Sequence, residues 1–258
     1  MHAFHSLAYL DVEKSGSTYV SHFLRDFLDD DEVAFRKHVE LEDRPPSGRV
    51  HVISVRDPLD TYLSLYSYGC QGKGGLSGTV REAGLGHLYD GTAEGFDRWL
   101  DIVLDPAYAP ALNPRSYLRS GVAPHTGLLS FRVARLSSPR PLRWIRRATS
   151  PEDFVARYRR NSVVDVVLRN ESLTEDLEAL VLREDLAWRP SRQAALEALR
   201  AQRRLNTSRR LDDAGGFEVP ADARRRVAAR ERLLTEVFGY EDGHRSSTSE
   251  PIHARSSA

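Results

Sequence analysis

The stretch YLDVEKSGSTYVSHFL, Tyr9 to Leu24, places a lysine, a glycine and three hydroxyl residues between an apolar run and an amphipathic one. SLAYLDV (Ser6 to Val12) reads as a short buried strand, and STYVSHFLRDFL (Ser17 to Leu28) as a helix with Val20, Phe23, Leu24, Phe27 and Leu28 on one stripe. A loop between the end of a strand and the start of a helix aims its N–H groups, and the positive end of the helix dipole, at one point. Here that loop also carries Lys14 as a point charge, Ser15, Ser17 and Thr18 as hydroxyl donors, and Gly16, which lets the backbone approach a ligand. The pattern is that of an anion cradle, although the same strand, loop and helix also occur in proteins without a ligand there.

Working outward, further strands are expected at VAFRKHV (Val33 to Val39) and RVHVISV (Arg49 to Val55), the second apolar enough for a buried parallel position. RDPLDTYLSLYSYG then turns at Asp57-Pro58 into a helix, with proline where a missing N–H costs least. Residues 69–91 are glycine-rich without a clear period and predict a mobile loop, such as a lid or an acceptor-binding segment. Helices are predicted at Ala93 to Leu104, from the serine-capped SPEDFVARYRR, at LTEDLEALVLRE and across Val219 to Tyr240; VVDVVLRNE (Val163 to Glu171) predicts another strand. Strands alternating with helices predict an α/β fold in three layers, α/β/α, around a central parallel sheet. One domain over residues 1–242 and a polar, disordered tail over 243–258 complete the expectation.

The 258 residues are 40% hydrophobic, enough for a sizeable core. The 37 basic residues balance the 37 acidic ones, which argues against a nucleic-acid or membrane-surface protein and makes any anion site local. Lys14, Lys37 and Lys73 are the only lysines, so one within the Gly/Ser/Thr loop stands out. Cys70 is the only cysteine, which excludes an internal disulfide and any multi-cysteine metal centre. With no secretory signal and no apolar run of membrane-spanning length, a cytoplasmic protein is expected.

A nucleotide-kinase loop has the form G-x-x-x-x-G-K-[ST], whereas here the lysine precedes the glycine, K-S-G-S-T. The strand Arg49 to Val55 also delivers Arg56 at its end, where a magnesium-dependent kinase needs a carboxylate; Asp57 follows, as a metal anchor or, better, as the residue that fixes the turn. At these residues the chain resembles the sulfotransferases that use 3′-phosphoadenosine 5′-phosphosulfate, and among them the carbohydrate-type branch. Lys14-Ser15-Gly16-Ser17-Thr18 is similar to their 5′-phosphosulfate loop. Arg56-Asp57-Pro58 with Ser64 is similar to their 3′-phosphate element. VVDVVLRNESLTEDLEAL, RRLNTSRR and LLTEVFGYED extend the resemblance over most of residues 5–242.

The resemblance implies a P-loop nucleotide-hydrolase-like sulfotransferase fold and metal-independent transfer of a sulfuryl group to the hydroxyl of a sugar or other small acceptor. Lys14 would meet the bridging oxygen of the leaving group, Ser15, Gly16, Ser17 and Thr18 the 5′-phosphate, and Arg56 and Ser64 the 3′-phosphate. Arg209 and Arg210 would reach the 3′-phosphate or an anionic acceptor, or else belong to a solvated surface. The family's general base lies near the end of the second strand, where His38 and Glu40 stand two apart and would share one strand face. His38 is the better base at neutral pH. Arg143 to Ser150 (RWIRRATS) is an arginine-rich segment that fits a solvated face better than an acidic substrate. Two other readings stay open: a kinase-like phosphotransferase and a non-catalytic nucleotide-binding module.

Overall fold

A computed structural model describes residues 1–41, 48–113, 115–201 and 217–240. The strands are β1 (His2–Phe4), β2 (Leu7–Leu10), β3 (Glu32–Phe35), β4 (Val50–Val55) and β5 (Val166–Arg169). They form one sheet in the order β3-β1-β2-β4-β5. The strands β2, β4 and β5 run parallel, with Leu7 beside Val50 and Val52 beside Val166. The sheet is nevertheless mixed, which corrects the expected parallel one. His5 and Ser6 alone join β1 to β2, and a two-residue link permits only antiparallel pairing. The strand β3 pairs antiparallel with the far side of β1.

The side chains of β2 and β4 alternate between two cores. Leu7, Tyr9, Val50 and Val52 pack on one face against Val20, Phe23 and Leu24 of α1 (Ser17–Phe27). Leu10, Ile53 and Val55 pack on the other against Leu59, Tyr62, Leu65 and Tyr66 of α2 (Pro58–Cys70). Helices thus cover both faces, an arrangement compatible with a three-layer α/β/α fold. The six residues of β4 are all buried, and at about 1.5–3 kcal/mol for each large aliphatic side chain this strand anchors both cores.

Residues 69–91 do not form the expected loop: they hold α3 (Gly75–Glu82) and a single turn at Gly86–Leu88. Leu76 and Val80, one helical turn apart, are buried and fix this helix despite its glycines. The chain continues through α4 (Ala93–Leu104), α5 (Ala109–Leu112), α6 (Tyr117–Ser120), α7 (Leu128–Leu136), α8 (Pro141–Ile145) and α9 (Pro151–Asn161). Ser150 caps α9 by accepting the Asp153 N–H at 3.1 Å, as the sequence predicts. After β5 follow α10 (Leu173–Val181) and α11 (Arg192–Ala201), which complete the first core.

The helix expected over Val219 to Tyr240 is broken at Glu231 into α12 (Ala223–Arg230) and α13 (Arg232–Phe238). The fully buried Glu231 carboxylate accepts hydrogen bonds from the Leu129 and Ser130 N–H groups at the start of α7 and from the Tyr62 hydroxyl. Those orphan donors bend the chain toward them, which a helical periodicity cannot reveal. Residues 243–258, expected to be a disordered tail, lie outside the described residues. Among the described residues no helix is long and apolar enough to cross a membrane.

Candidate functional site

The two candidate anion-site segments stand side by side at the C-terminal ends of the neighbouring parallel strands β2 and β4. After β2 the chain turns through Lys14 and Gly16, both in the left-handed region at φ 65° and 86°. Gly16 is the N-cap of α1 and no side chain caps that helix; the Tyr19 and Val20 N–H groups donate to the Gly16 carbonyl at 3.0 and 3.2 Å, which leaves those of Ser17 and Thr18 as the first-turn N–H groups open to a ligand. A Cβ at Gly16 would lie 2.9 Å from Asn170 Nδ2 and 3.0 Å from Leu173 Cδ2, so both space and torsion demand glycine there. Ser17 is half-buried and Thr18 exposed on the first turn. Ser15 points inward: its Oγ donates to the Val12 carbonyl at 2.8 Å and meets Ser54 Oγ at 2.6 Å, and Ser54 in turn meets the Tyr9 hydroxyl at 2.5 Å. Its hydroxyl therefore locks the loop to β4, leaving its N–H as the group available to a ligand.

Two residues that sequence reading did not single out complete this cradle. The Lys14 ammonium lies 3.4 Å from the centroid of the Tyr68 ring, and the Lys73 ammonium 5.9 Å from the same ring. Lys73 stands between Gly72 and Gly74, both at positive φ, and its N–H donates to the Tyr68 carbonyl at 3.1 Å. Gly74 packs so closely on Tyr68 that a Cβ would come 3.0 Å from the ring edge. Burial holds the Lys14 ammonium below its ordinary pKa; the Arg56 and Lys73 cations push the same way and Glu13 opposes them. Three cations thus converge on the loop. Only the spacing of Lys73 from the end of α2 hints at this in the sequence, because the contact is made through a turn.

At the end of β4, Arg56 is mostly buried, its Nη2 3.6 Å from Asp60 and its Nε without a hydrogen-bond partner. Asp57 fixes the turn, as expected: its Oδ1 accepts the Asp60 N–H at 3.0 Å, with Pro58 opening α2, and its Oδ2 is 2.8 Å from Arg224. The Asp57 N–H donates to Glu171 at 2.8 Å, and the other Glu171 oxygen accepts from the Tyr240 hydroxyl at 2.9 Å. Burial, reinforced by the Glu171 charge, pushes the Tyr240 hydroxyl well above its ordinary pKa and keeps it a donor. The segment after β5 therefore holds the Arg56-Asp57 turn in place. Ser64 sits half-buried on α2, two turns beyond Arg56, with its hydroxyl in no bond to the other site residues.

His38 and Glu40 do not lie on a strand, because β3 ends at Phe35 and His38 occupies a turn at φ 52°. The expectation of a shared strand face is corrected accordingly. His38 Nδ1 donates to the Asp11 carbonyl at 2.9 Å, which leaves the Nε2 lone pair free, 3.9 Å from Glu13. The buried Asp11 carboxylate lies 3.3 Å from Nδ1 and also accepts the Met1 ammonium, so it orients the ring from behind. Glu40 is held by Arg135 at 3.3 Å, and Glu13 by Arg132 at 3.0 Å, both arginines on α7. Outside glycine, positive φ among the described residues occurs at Lys14, His38 and Arg140. The Arg140 N–H donates to the carbonyl of Leu41 at 2.9 Å, three residues beyond His38, so all three strained residues gather in one region. His22 is exposed on α1, and the buried His51 binds Asp165 through Nδ1 at 3.2 Å; neither approaches the loop.

Arg209 and Arg210 lie outside the described residues. Comparison with family models, with curated proteins and with solved structures finds no match to this chain.

Proposed function

We propose that this chain is a sulfotransferase with the corresponding P-loop-like fold. It would move a sulfuryl group from 3′-phosphoadenosine 5′-phosphosulfate to a hydroxyl of a carbohydrate or glycosylated small molecule. The observation that carries the reading is the pair of adjoining anion features. One is the uncapped α1 with Lys14 and Gly16; the other is Arg56, whose buried Nε lacks a partner. A donor with a phosphosulfate at one end of its nucleoside and a phosphate at the other fills two such sites at once. Asp57, the carboxylate that a magnesium-dependent phosphotransferase would use here, is committed to the α2 cap and to Arg224.

In this reading His38 Nε2 removes the acceptor proton as the oxygen attacks sulfur in line, forming the new S–O bond. The bond from sulfur to the bridging oxygen breaks, and adenosine 3′,5′-bisphosphate leaves with the negative charge. Lys14, supported by the first-turn N–H groups of α1, stabilises that charge without a metal. Calorimetry with adenosine 3′,5′-bisphosphate in the presence of a chelator tests the proposal. Micromolar or tighter binding supports it; no binding, alongside magnesium-dependent ATP binding, would replace it with the phosphotransferase reading.

A further inference from the structure

Among the described residues β3 ends the sheet, with β1 along one side of it and no strand along the other. Residues 33–37 are all exposed, Val33 to 48% and Phe35 to 50%. The Arg36 N–H donates to the Met1 carbonyl at 3.0 Å, so the neighbouring Phe35, turned the opposite way, presents its N–H and carbonyl to the open edge. Its ring is fixed there, stacked on His2 with 4.4 Å between centroids and with the Arg25 guanidinium 5.1 Å from its centre. Free backbone groups beside exposed apolar side chains make such an edge a template for another strand.

The charges around it select the strand. Asp31 and Glu32 precede the apolar Val33-Ala34-Phe35, and Arg36 and Lys37 follow it. The side chains of Asp31, Arg36 and Lys37 form no ion pair among the described residues. Flanking charges, and the irregularity that leaves Val33 without a partner on β1, are also ways of guarding an edge. Charges of a single sign would repel every copy of the same segment. Here the acidic end comes first and the basic end last, so a parallel copy is repelled and an antiparallel one attracted. With Ala34 on a two-fold axis, Val33 falls opposite Phe35, Glu32 opposite Arg36 and Asp31 opposite Lys37 of the second copy, each pair occurring twice. A slip of one residue in either direction sets a charge against an apolar residue, Arg36 against Val33 or Glu32 against Phe35.

We infer that β3 is a homodimer interface, pairing antiparallel with β3 of a second copy in this register, so that one sheet runs through both molecules. The inference is independent of the sulfotransferase reading.

Sedimentation of the full chain from about 1 to about 300 μM, at low ionic strength where exposed charges are least screened, tests it. The parent is expected to dimerise within that range. Asp31→Lys and Lys37→Glu, both at exposed positions, each put two like-charged pairs into the interface and should weaken the dimer at least tenfold. In an equimolar mixture of the two variants the introduced lysine of one meets the introduced glutamate of the other, and the native Lys37 meets the native Asp31. The mixed dimer should therefore form with an affinity within threefold of the parent. Loss of folding cannot produce that pattern, since each variant fails alone and succeeds with the other. A parent that stays monomeric throughout, single variants that dimerise as tightly as the parent, or a mixture no tighter than its components would each overturn the inference. The first of these outcomes would leave the edge to a strand of different sequence, and the second would move any dimer to another surface.

Discussion

Gly16→Ala puts the geometry of the loop to a quantitative test. Gly16 has φ 86°, where an L-residue costs about 1–2 kcal/mol. The new methyl would also meet Asn170 Nδ2 at 2.9 Å and Leu173 Cδ2 at 3.0 Å. The Asn170 amide can rotate, whereas Leu173 is buried in the core, and overpacking of this kind costs about 1–3 kcal/mol. Together the two effects predict a loss of about 2–5 kcal/mol, which at a urea slope near 3 kcal/mol/M lowers the denaturation midpoint by about 0.7–1.7 M. Gly78→Ala is the matched control: it lies inside α3, with no atom within 4 Å of the added Cβ and no positive φ. Its expected effect is a gain of about 0.5–1 kcal/mol from helix propensity. The two substitutions, identical in chemistry, should thus move the midpoint in opposite directions. A Gly16→Ala midpoint within 0.2 M of the parent would refute the assigned turn and, with it, the argument that the α1 N–H groups are held open for an anion.

Four further outcomes follow from the same geometry. Arg56→Ala should weaken adenosine 3′,5′-bisphosphate binding about ten- to a hundredfold by calorimetry, since a charge-assisted bond is worth about 1.5–3 kcal/mol; unchanged affinity would remove Arg56 from the donor site. His38→Ala should lower turnover by about 10²–10⁴ while leaving that binding intact, and an unchanged rate would exclude His38 as the base. Because burial, Arg56 and Lys73 hold the Lys14 ammonium below its ordinary pKa, its charge is complete at low pH and is lost on the way up, ahead of a free lysine. Donor affinity should therefore start to fall at a lower alkaline pH in the parent than in Lys14→Arg, and parallel profiles would count against the contact. Finally, Lys14→Gly should be more stable to urea than Lys14→Ala by about 1 kcal/mol, reversing the usual order at a loop position, because only glycine relieves φ 65°; a more stable alanine variant would contradict the strain.

What could be read from the sequence was what neighbouring residues encode by themselves. Lys14 to Thr18 and Arg56 to Pro58 are short runs, each closing a strand and opening a helix, and the cap at Asp57 follows from Pro58 beside it. The parts that were missed depend on residues distant in sequence. Tyr68 and Lys73 come to Lys14 through the turn between α2 and α3, and Asp11 acts on His38 across 27 positions. The strand β1 is three residues long, too short for any alternation to register, yet it makes the sheet mixed and separates β3 from the parallel strands. His38 leaves the strand because the pairing of β3 with β1 ends at Phe35 and leaves the next residues free to turn.

That early end of β3 bears on how the site is assembled. On an extended strand His38 and Glu40 would have competed for the same position; in the turn they are separated, Nδ1 of His38 going to Asp11 and Glu40 to Arg135. The left-handed torsion at His38, like that at Lys14, costs about 1–2 kcal/mol and is sustained only by the bonds around it. Asp11 supplies those bonds at His38, through its carbonyl to Nδ1 and its carboxylate to the His38 N–H at 3.3 Å. The Tyr68 ring is the corresponding support for Lys14. Lys14 and His38 are thus each held in a strained turn by contacts of their own, the Tyr68 ring at one and Asp11 at the other. In the proposed sulfotransferase reading, the first would serve as the leaving-group cation and the second as the base of an in-line transfer.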